Sequence, residues 1–123
     1  MPSTGAKSSK HRGLRVRLAG SVLVLVLLEN GRQIRGRMNQ LSVNGGLLSL
    51  ERPLDEAIRV TVLFHLGTTT IRCRARMMFP MWATKGCLQP FRFVDLPDAD
   101  RDNLSSELDA LVKAGAPQEE EDE

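Results

Sequence analysis

Two neighbouring segments in the middle of the chain alternate between apolar and polar residues. In residues 58–66 every second residue is apolar, and in residues 71–77 small or apolar residues alternate with arginines. Period-two alternation is the signature of a β-strand with one buried face. Because Gly67 separates the two segments, the pattern predicts an antiparallel hairpin. Its outward-facing arginines are Arg72, Arg74 and Arg76.

Further strands are predicted on both sides of this hairpin. Residues 22–28 are apolar throughout, and the Asn30-Gly31 pair that follows favours a two-residue type I′ turn into a strand at 32–39. The other candidate strands are residues 47–50 and 86–94. Beyond Pro97 the apolar residues recur at helical spacing, at Leu104, Leu108, Leu111 and Val112. Gly115 is a suitable helix stop.

The sequence therefore predicts a mainly all-β protein: a small antiparallel β-barrel of six to seven strands with one C-terminal amphipathic helix at about 98–114. Residues 1–9 are expected to form a disordered tail, residues 10–114 one domain, and residues 115–123 an acidic disordered tail. Because the 22–28 strand is apolar on both faces, either the helix or a second subunit is expected to cover its outer side. A monomer or a weak homodimer is therefore predicted.

Charge is distributed unevenly along the chain. Residues 1–37 contain eight Lys or Arg and one acid, whereas residues 94–123 contain eleven acids and two bases. A basic first third indicates an anionic ligand.

The sequence favours a binding protein over an enzyme. It contains neither a nucleophile motif nor a phosphate-binding Gly-Lys-Ser/Thr loop, and no metal-ligand spacing, so no catalytic residue, metal or cofactor is predicted. Cys73 and Cys87 are expected to be free thiols, as in a cytoplasmic protein. The apolar run at 18–28 is shorter than the ~20 residues that span a bilayer, so no membrane association is expected.

A basic segment just before the first strand is the first candidate binding motif. It contains His11, Arg12, Arg15 and Arg17. The planar guanidinium of arginine binds phosphate or a guanine edge bidentately, and its flat face stacks on a purine. A solvated basic arm without a ligand is the alternative interpretation.

The second candidate motif is a polar corner between two strands. Gln40 is followed by Ser42 two positions later and by Gly45 three positions after that. Such a corner presents hydrogen-bonding side chains beside exposed backbone.

With the segment at 91–96, these two motifs resemble the PilZ family, small bacterial β-barrels that bind the second messenger cyclic di-GMP (c-di-GMP). That family carries two arginines separated by three residues, and then Asp or Asn followed by Ser and Gly at the spacing seen here. Arg15 matches the second arginine, and Ser42 and Gly45 match the second motif. The resemblance covers about residues 10–112 and implies a PilZ-like barrel. The c-di-GMP-binding residues that it implies are His11, Arg12, Arg15, Arg17, Gln40, Ser42 and Gly45.

Three positions depart from the family pattern. His11 stands in place of the first arginine, Gln40 in place of Asp or Asn, and Pro90 in place of a glycine in the closing strand. Two functions therefore remain open. The first is a c-di-GMP receptor that regulates a bacterial process, such as motility or exopolysaccharide output, through a protein client. The second is a degenerate PilZ domain that acts as a protein–protein adaptor without nucleotide.

A nucleic-acid-binding barrel is a third hypothesis. The basic face of the chain favours it. Four Phe, one Trp and no Tyr leave few side chains for base stacking, and the acidic tail would repel phosphates. DNA and RNA are therefore not expected partners.

Overall fold

The computed structural model describes residues 14–120, which form eight strands and one helix. The strands are β1 (Leu14–Leu27), β2 (Gln33–Leu41), β3 (Gly45–Leu50), β4 (Arg59–Leu66), β5 (Thr69–Met77), β6 (Met81–Trp82), β7 (Cys87–Phe93) and β8 (Gln118–Glu120). The helix is α1 (Asp98–Lys113).

Six of the strands close into a barrel. The order is β2, β3, β7, β5, β4 and β1, and β1 pairs with β2 to complete the ring. Every pair is antiparallel. The two short strands are additions to this ring, since β6 pairs with β7 and β8 pairs with β1. The predicted antiparallel barrel with one C-terminal helix is confirmed.

The predicted alternation determines which side chains enter the barrel. In β5, Ile71, Cys73 and Ala75 are buried and the arginines between them are exposed. In β4, Val62 and Phe64 are buried in the same core. Burial of these apolar side chains supplies the main stabilisation of the barrel, because it removes apolar surface from water.

Helix α1 covers one end of the barrel. Leu104 and Leu108 face inward and are buried in the core. Near the start of the helix, Arg101 Nη1 donates a hydrogen bond to Asn44 Oδ1 in the β2–β3 turn, at 3.4 Å. Further along, the Glu107 carboxylate accepts hydrogen bonds from the β4–β5 turn. The helix therefore spans two turns of the barrel and does not cover the outer side of β1, where Leu23 is 64% exposed.

The β1–β2 hairpin forms where it was expected, but its turn differs from the prediction. The Leu28 N–H donates to the Arg32 carbonyl at 2.9 Å and the Gly31 N–H donates to the Leu28 carbonyl at 3.0 Å. Gly31 has φ of +91°, whereas Asn30 is not among the residues with positive φ. A type I′ turn needs positive φ at both central residues. The loop therefore has three residues, with glycine at the left-handed position, and the two-residue prediction is wrong.

Strand β8 lies in the segment for which a disordered tail was predicted. Its residues pair with the start of β1, with Val16 opposite Gln118. Strand β4 pairs only with Val24 to Leu27 of β1, so it leaves the first half of that edge open. The chain after α1 occupies this edge, and the Pro117 carbonyl accepts a hydrogen bond from the Arg17 N–H at 2.9 Å. A strand edge exposes backbone groups that readily pair with another segment.

The contact between α1 and the β4–β5 turn predicts a pH-dependent contribution to stability. The backbone N–H of Thr68, with the hydroxyls of Thr68 and Thr69, lowers the pKa of the Glu107 carboxyl. A lowered folded-state pKa stabilises the fold above the unfolded-state pKa, and this stabilisation is lost as the pH falls through the folded-state value. Glu107→Gln should therefore lower the melting temperature by a few degrees at neutral pH. Its difference from the parent protein should begin to shrink as the pH falls below the ordinary glutamate pKa of about 4.3, and it should vanish below the folded-state pKa.

Thermal unfolding followed by circular dichroism at several pH values measures this effect. Asp109→Asn is the matched control, because Asp109 is an exposed acid on the same helix. An equal effect of both substitutions at every pH would contradict the assignment of the effect to the Glu107 contact.

Candidate functional site

The register of β1 against β2 brings the basic segment next to the polar corner. Val16 lies opposite Leu41, and both side chains are buried. Arg17 lies opposite Gln40 on the next pair, so these two side chains share the outer face. Arg15 is two residues before Arg17 and has the same outward orientation. The two candidate motifs are therefore neighbours in space.

Ser42 shapes the turn between β2 and β3. Its side chain is 1% exposed. Its N–H donates to the Gly45 carbonyl at 2.8 Å, and its Oγ accepts from the Asn44 N–H at 3.1 Å. Asn44 in turn accepts a hydrogen bond from the Phe93 N–H at its carbonyl, at 2.9 Å. Ser42 thus holds the turn from inside, and its hydroxyl lies beneath the outer surface.

Gly45 allows β3 to approach β7 closely. A Cβ atom on Gly45 would collide with the Phe91 carbonyl oxygen and would lie 2.9 Å from Arg92 Cα. Both of these atoms belong to the backbone, so neither can move without displacing β7. Glycine at this position is therefore required by packing, whatever else the residue does.

This close approach predicts that Gly45→Ala destabilises the fold by about 1–3 kcal/mol, the usual cost of overpacking. Gly36→Ala is a matched control in the neighbouring strand, because its Cβ would first meet Leu50 Cδ2, the end of a flexible side chain. Urea unfolding of the two variants should rank Gly45→Ala as the less stable. The opposite ranking would mean that β7 moves away from β3 at little cost.

A cleft of about 410 Å³ opens at this corner of the barrel. Its size falls within the range of small-molecule sites, which is roughly 300–1,000 Å³. The residues that line it come from five parts of the chain: Arg15, Gln40, Asn44, Gly45, Gly46, Leu47, Glu56, Met78, Phe79, Met81, Pro90, Phe91 and Arg92. The cleft thus combines two guanidinium groups, one carboxylate, two side-chain amides and an apolar wall.

The Gln40 side chain has an unused acceptor in this cleft. Its Oε1 atom is buried and has no hydrogen-bond partner, and it is the one such side-chain atom in the described part of the chain. Buried polar atoms are nearly always paired, because an unpaired one loses its hydration without compensation. Because Gln40 lines the cleft, a rotation of its side chain would bring this oxygen to a donor bound there.

The apolar wall of the cleft comes from the connection between β5 and β7. Phe79 is 68% exposed, and Met81 is also an exposed apolar side chain. Both line the cleft, whereas Trp82, at 78% exposed, does not. An exposed aromatic ring beside hydrogen-bonding groups is suited to the face of a planar base.

A row of three arginines extends from the cleft across the outer face. Arg92 on β7 lies directly opposite Arg76 on β5, and Arg76 lies opposite Arg59 on β4. All three side chains are exposed. The described ion pair between Arg74 Nη2 and Asp95 Oδ2, at 3.8 Å, involves none of them. Like charges directly opposite each other are unfavourable, so the row favours an anion nearby.

Among the predicted site residues, Arg15, Gln40 and Gly45 line the cleft. Arg17 lies beside Gln40 on the outer face but is not part of the lining. Ser42 is buried under the turn. His11 and Arg12 lie outside the described residues.

Sequence reasoning missed Arg92 and Glu56 in the lining. Arg92 carried a usable signal, since it is the outward residue between Phe91 and Phe93 in the closing strand. Glu56 follows Pro53 in a loop without periodicity, and nothing in the sequence indicates where that loop lies.

Other kinds of site receive no support in residues 14–120. No cluster of His, Cys, Asp or Glu there could hold a metal ion. No helix in the same range is both long enough and apolar enough to cross a bilayer. Burial raises the pKa of the Cys73 and Cys87 thiols, which makes them poor nucleophiles.

Comparison with known proteins identifies the fold. No protein-family model matches the sequence. No curated protein matches it either. Among solved structures, the PilZ domain of YcgR from Escherichia coli with c-di-GMP superposes with a TM-score of 0.66 at 19% identity, covering 84% of this chain and 92% of that domain. The chain has the PilZ fold.

Two longer proteins contain the same PilZ fold. YcgR from Escherichia coli, in complex with c-di-GMP, matches with a TM-score of 0.74 at 18% identity over 84% of this chain. The Bacillus subtilis inhibitor of motility MotI/DgrA matches with a TM-score of 0.71 at 15% identity over 85% of this chain. The chain spans about half of each, 46% and 51% of their lengths. The predicted PilZ-like architecture is confirmed.

Proposed function

We propose that this PilZ-like domain is a c-di-GMP receptor that uses the cleft as its binding site. The observation that carries the proposal is that Arg15 and the Gln40–Gly45 corner, from two separate sequence motifs, line one cleft. The solved PilZ domain of Escherichia coli YcgR, which has the same fold, carries c-di-GMP. The domain would pass the signal to a protein client in a process such as motility or exopolysaccharide output.

In this proposal the guanidinium groups bind the phosphates. Arg15 and Arg92 both line the cleft, and each can donate two parallel hydrogen bonds to a phosphate or to the O6 and N7 atoms of guanine. His11 and Arg12 precede Arg15 by four and three positions and are proposed as further contacts. Arg17 adds positive charge on the adjoining outer face.

The second set of contacts reads a guanine edge. The unpaired Gln40 Oε1 can accept from guanine N1–H or N2–H. Glu56 is the carboxylate in the described lining and can accept both of these donors at once. It would supply the negative charge that family members with Asp have at the position of Gln40. Gly45 keeps β3 close to β7 at the floor of the cleft, and Phe79 would lie against the base face.

Isothermal titration of the chain with c-di-GMP tests the proposal. A micromolar dissociation constant, about −8 kcal/mol, is expected. GMP offers one base and one phosphate, so it should bind far more weakly.

The adaptor hypothesis remains the second candidate. The departures from the family pattern at His11, Gln40 and Pro90 favour it. If no heat is released at millimolar c-di-GMP while NMR shows a folded barrel, the receptor function fails and the adaptor hypothesis is left.

The Gln40 position offers a gain-of-function prediction. Gln40→Asp replaces a neutral acceptor with a charged one, and charged hydrogen bonds are roughly twice as strong as neutral ones. Affinity for c-di-GMP should rise about tenfold, which is roughly 1.4 kcal/mol. Gln40→Leu is the control that removes the acceptor, and it should weaken binding. If neither variant changes the dissociation constant, residue 40 does not contact the ligand.

A further inference from the structure

The outer wall of the barrel carries an apolar strip that no part of the described chain covers. The strip is formed by four leucines on β1 and β4: Leu23, Leu25, Leu27 and Leu63. Leu23 is 64% exposed, and the other three are partly exposed. Next to the strip is a shallow groove of about 280 Å³ whose lining includes Leu23, Leu25 and Leu63. Exposed apolar side chains that cluster on one face mark an interaction site.

Arginines border the strip on both sides, in register with the leucines. On β2, Arg35 lies opposite Leu25 and Arg37 lies opposite Leu23. Across the strip, Leu25 lies opposite Leu63, which in turn lies opposite Arg72 on β5. One continuous row therefore reads Arg, Leu, Leu, Arg across four adjacent strands.

The four strands that form the wall carry no acidic side chain beside Arg35 and Arg72. Strands β1 to β7 contain no Asp or Glu residue at all. Arg35 and Arg72 are both exposed. An apolar centre with a charged rim is the usual composition of a protein–protein interface, and here the rim is positive.

We propose that the apolar strip binds one amphipathic helix of a partner protein, with acidic residues along both flanks of its apolar face. The dimensions agree with this occupant. Three inter-strand steps of about 4.8 Å separate Arg35 from Arg72, roughly 14 Å. A helix with its side chains is about 10–12 Å across. One helix therefore fills the strip, and its two flanks reach Arg35 on one side and Arg72 on the other.

Pairing along the strip excludes binding of the partner as a strand added to β1 or β4. Residues 24–27 of β1 pair with both β2 and β4, and residues 61–64 of β4 pair with both β1 and β5. A partner must therefore contact side chains and not the backbone edge. This condition is met by a helix lying on its apolar face.

Charge also disfavours a second copy of this chain on the strip. In a symmetric dimer formed through this wall, Arg35 and Arg72 of one copy would lie against the same arginines of the other copy. Like charges opposed across an interface oppose association. A helix with acidic flanks pairs with both rows instead.

The strip and the c-di-GMP cleft have no lining residue in common. If c-di-GMP does not bind in the cleft, binding of a helix to the strip can therefore still be tested, and the reverse also holds. The helix-binding surface holds for both the receptor and the adaptor function.

The test uses a fluorescein-labelled helical peptide of about three heptads, with Leu at the a and d positions and Glu at e and g. A control peptide carries Lys in place of each Glu. Fluorescence anisotropy with the full chain should give at least about tenfold tighter binding of the Glu peptide, and this preference should shrink at high salt.

Variants of the wall identify the contact. Leu23→Ser should abolish binding of the Glu peptide. The variant should stay folded, because the Leu23 side chain is mostly exposed. The double variant Arg35→Glu, Arg72→Glu should reverse the preference in favour of the Lys peptide. Arg52→Glu is the control, because it reverses the charge of an exposed arginine in a loop. It should leave the preference for the Glu peptide unchanged.

Three results would overturn the proposal. The first is equal binding of both peptides, or of neither. The second is a dimer in analytical ultracentrifugation that Leu23→Ser dissociates, which would assign the strip to a second copy. The third is co-sedimentation with phosphatidylserine vesicles that Leu23→Ser abolishes, which would assign the strip to a lipid surface.

Discussion

Arg15→Ala is expected to lower the affinity for c-di-GMP by about ten- to a hundredfold. A hydrogen bond to a charged group contributes about 1.5–3 kcal/mol, and every 1.4 kcal/mol changes a dissociation constant about tenfold. Arg15 lines the cleft together with Gln40 and Glu56, and it lies opposite Glu119 in the register of β1 against β8. Its removal therefore takes a phosphate-binding group away from the cleft.

Two matched variants make this result specific. Arg15→Lys keeps the charge but loses the planar fork, so its affinity should be intermediate. Arg72→Ala removes an exposed arginine that does not line the cleft, and it should leave the affinity nearly unchanged. If Arg15→Ala and Arg72→Ala weakened binding equally, the attraction would come from overall charge and not from the cleft.

Gln89→Leu is expected to destabilise the fold by about 2–5 kcal/mol, since each buried group left unpaired costs about 1–3 kcal/mol. Gln89 is fully buried in β7. Its Oε1 accepts from the Leu54 N–H at 2.7 Å, and its Nε2 donates to the Leu54 carbonyl at 2.7 Å and to the Met78 carbonyl at 3.0 Å. Leucine has a similar volume and replaces none of these bonds.

The same substitution should also disturb the cleft. Gln89 anchors the loop that leads to Glu56 and the segment that carries Met78, and both residues line the cleft. The affinity for c-di-GMP should therefore fall even where the variant is still folded. Urea unfolding measures the stability, with the exposed Gln33→Leu in β2 as a control expected within about 0.5 kcal/mol of the parent. Equal stabilities of the two variants would mean that water replaces the Gln89 bonds.

Hydrophobic periodicity accounts for the parts of the fold that the sequence predicted. Alternation in β4 and β5 and the helical spacing of Leu104 and Leu108 each bury one face, and these elements form as expected. Strand β8 was missed because it has no apolar face, and it forms only because the edge of β1 is open beside it. The turn at Gly31 was missed because Asn-Gly is compatible with more than one hairpin loop.

The candidate site was partly accessible from sequence for a related reason. Arg15, Gln40 and Gly45 stand in local motifs whose spacing can be read directly. Arg92 and Glu56 reach the cleft through long-range pairing and loop placement, which no local pattern encodes. Ser42 matched its motif, yet its hydroxyl holds the turn from the inside.

The fold similarity at 15–19% identity also has a physical basis. A barrel core tolerates exchange of one apolar residue for another as long as volume and alternation are kept. The ligand contacts have no such freedom, because each hydrogen bond needs its own donor or acceptor. Fold and ligand therefore have to be tested separately.

An NMR titration of the isotope-labelled chain with c-di-GMP is the most direct test of the proposed site. If c-di-GMP binds in the cleft, the backbone amide signals of Gln40, Gly45, Gly46 and Arg92 should shift and saturate, and those of Leu23 and Leu63 should stay unchanged. Unchanged cleft signals at saturating ligand, or shifts confined to the apolar strip, would contradict it.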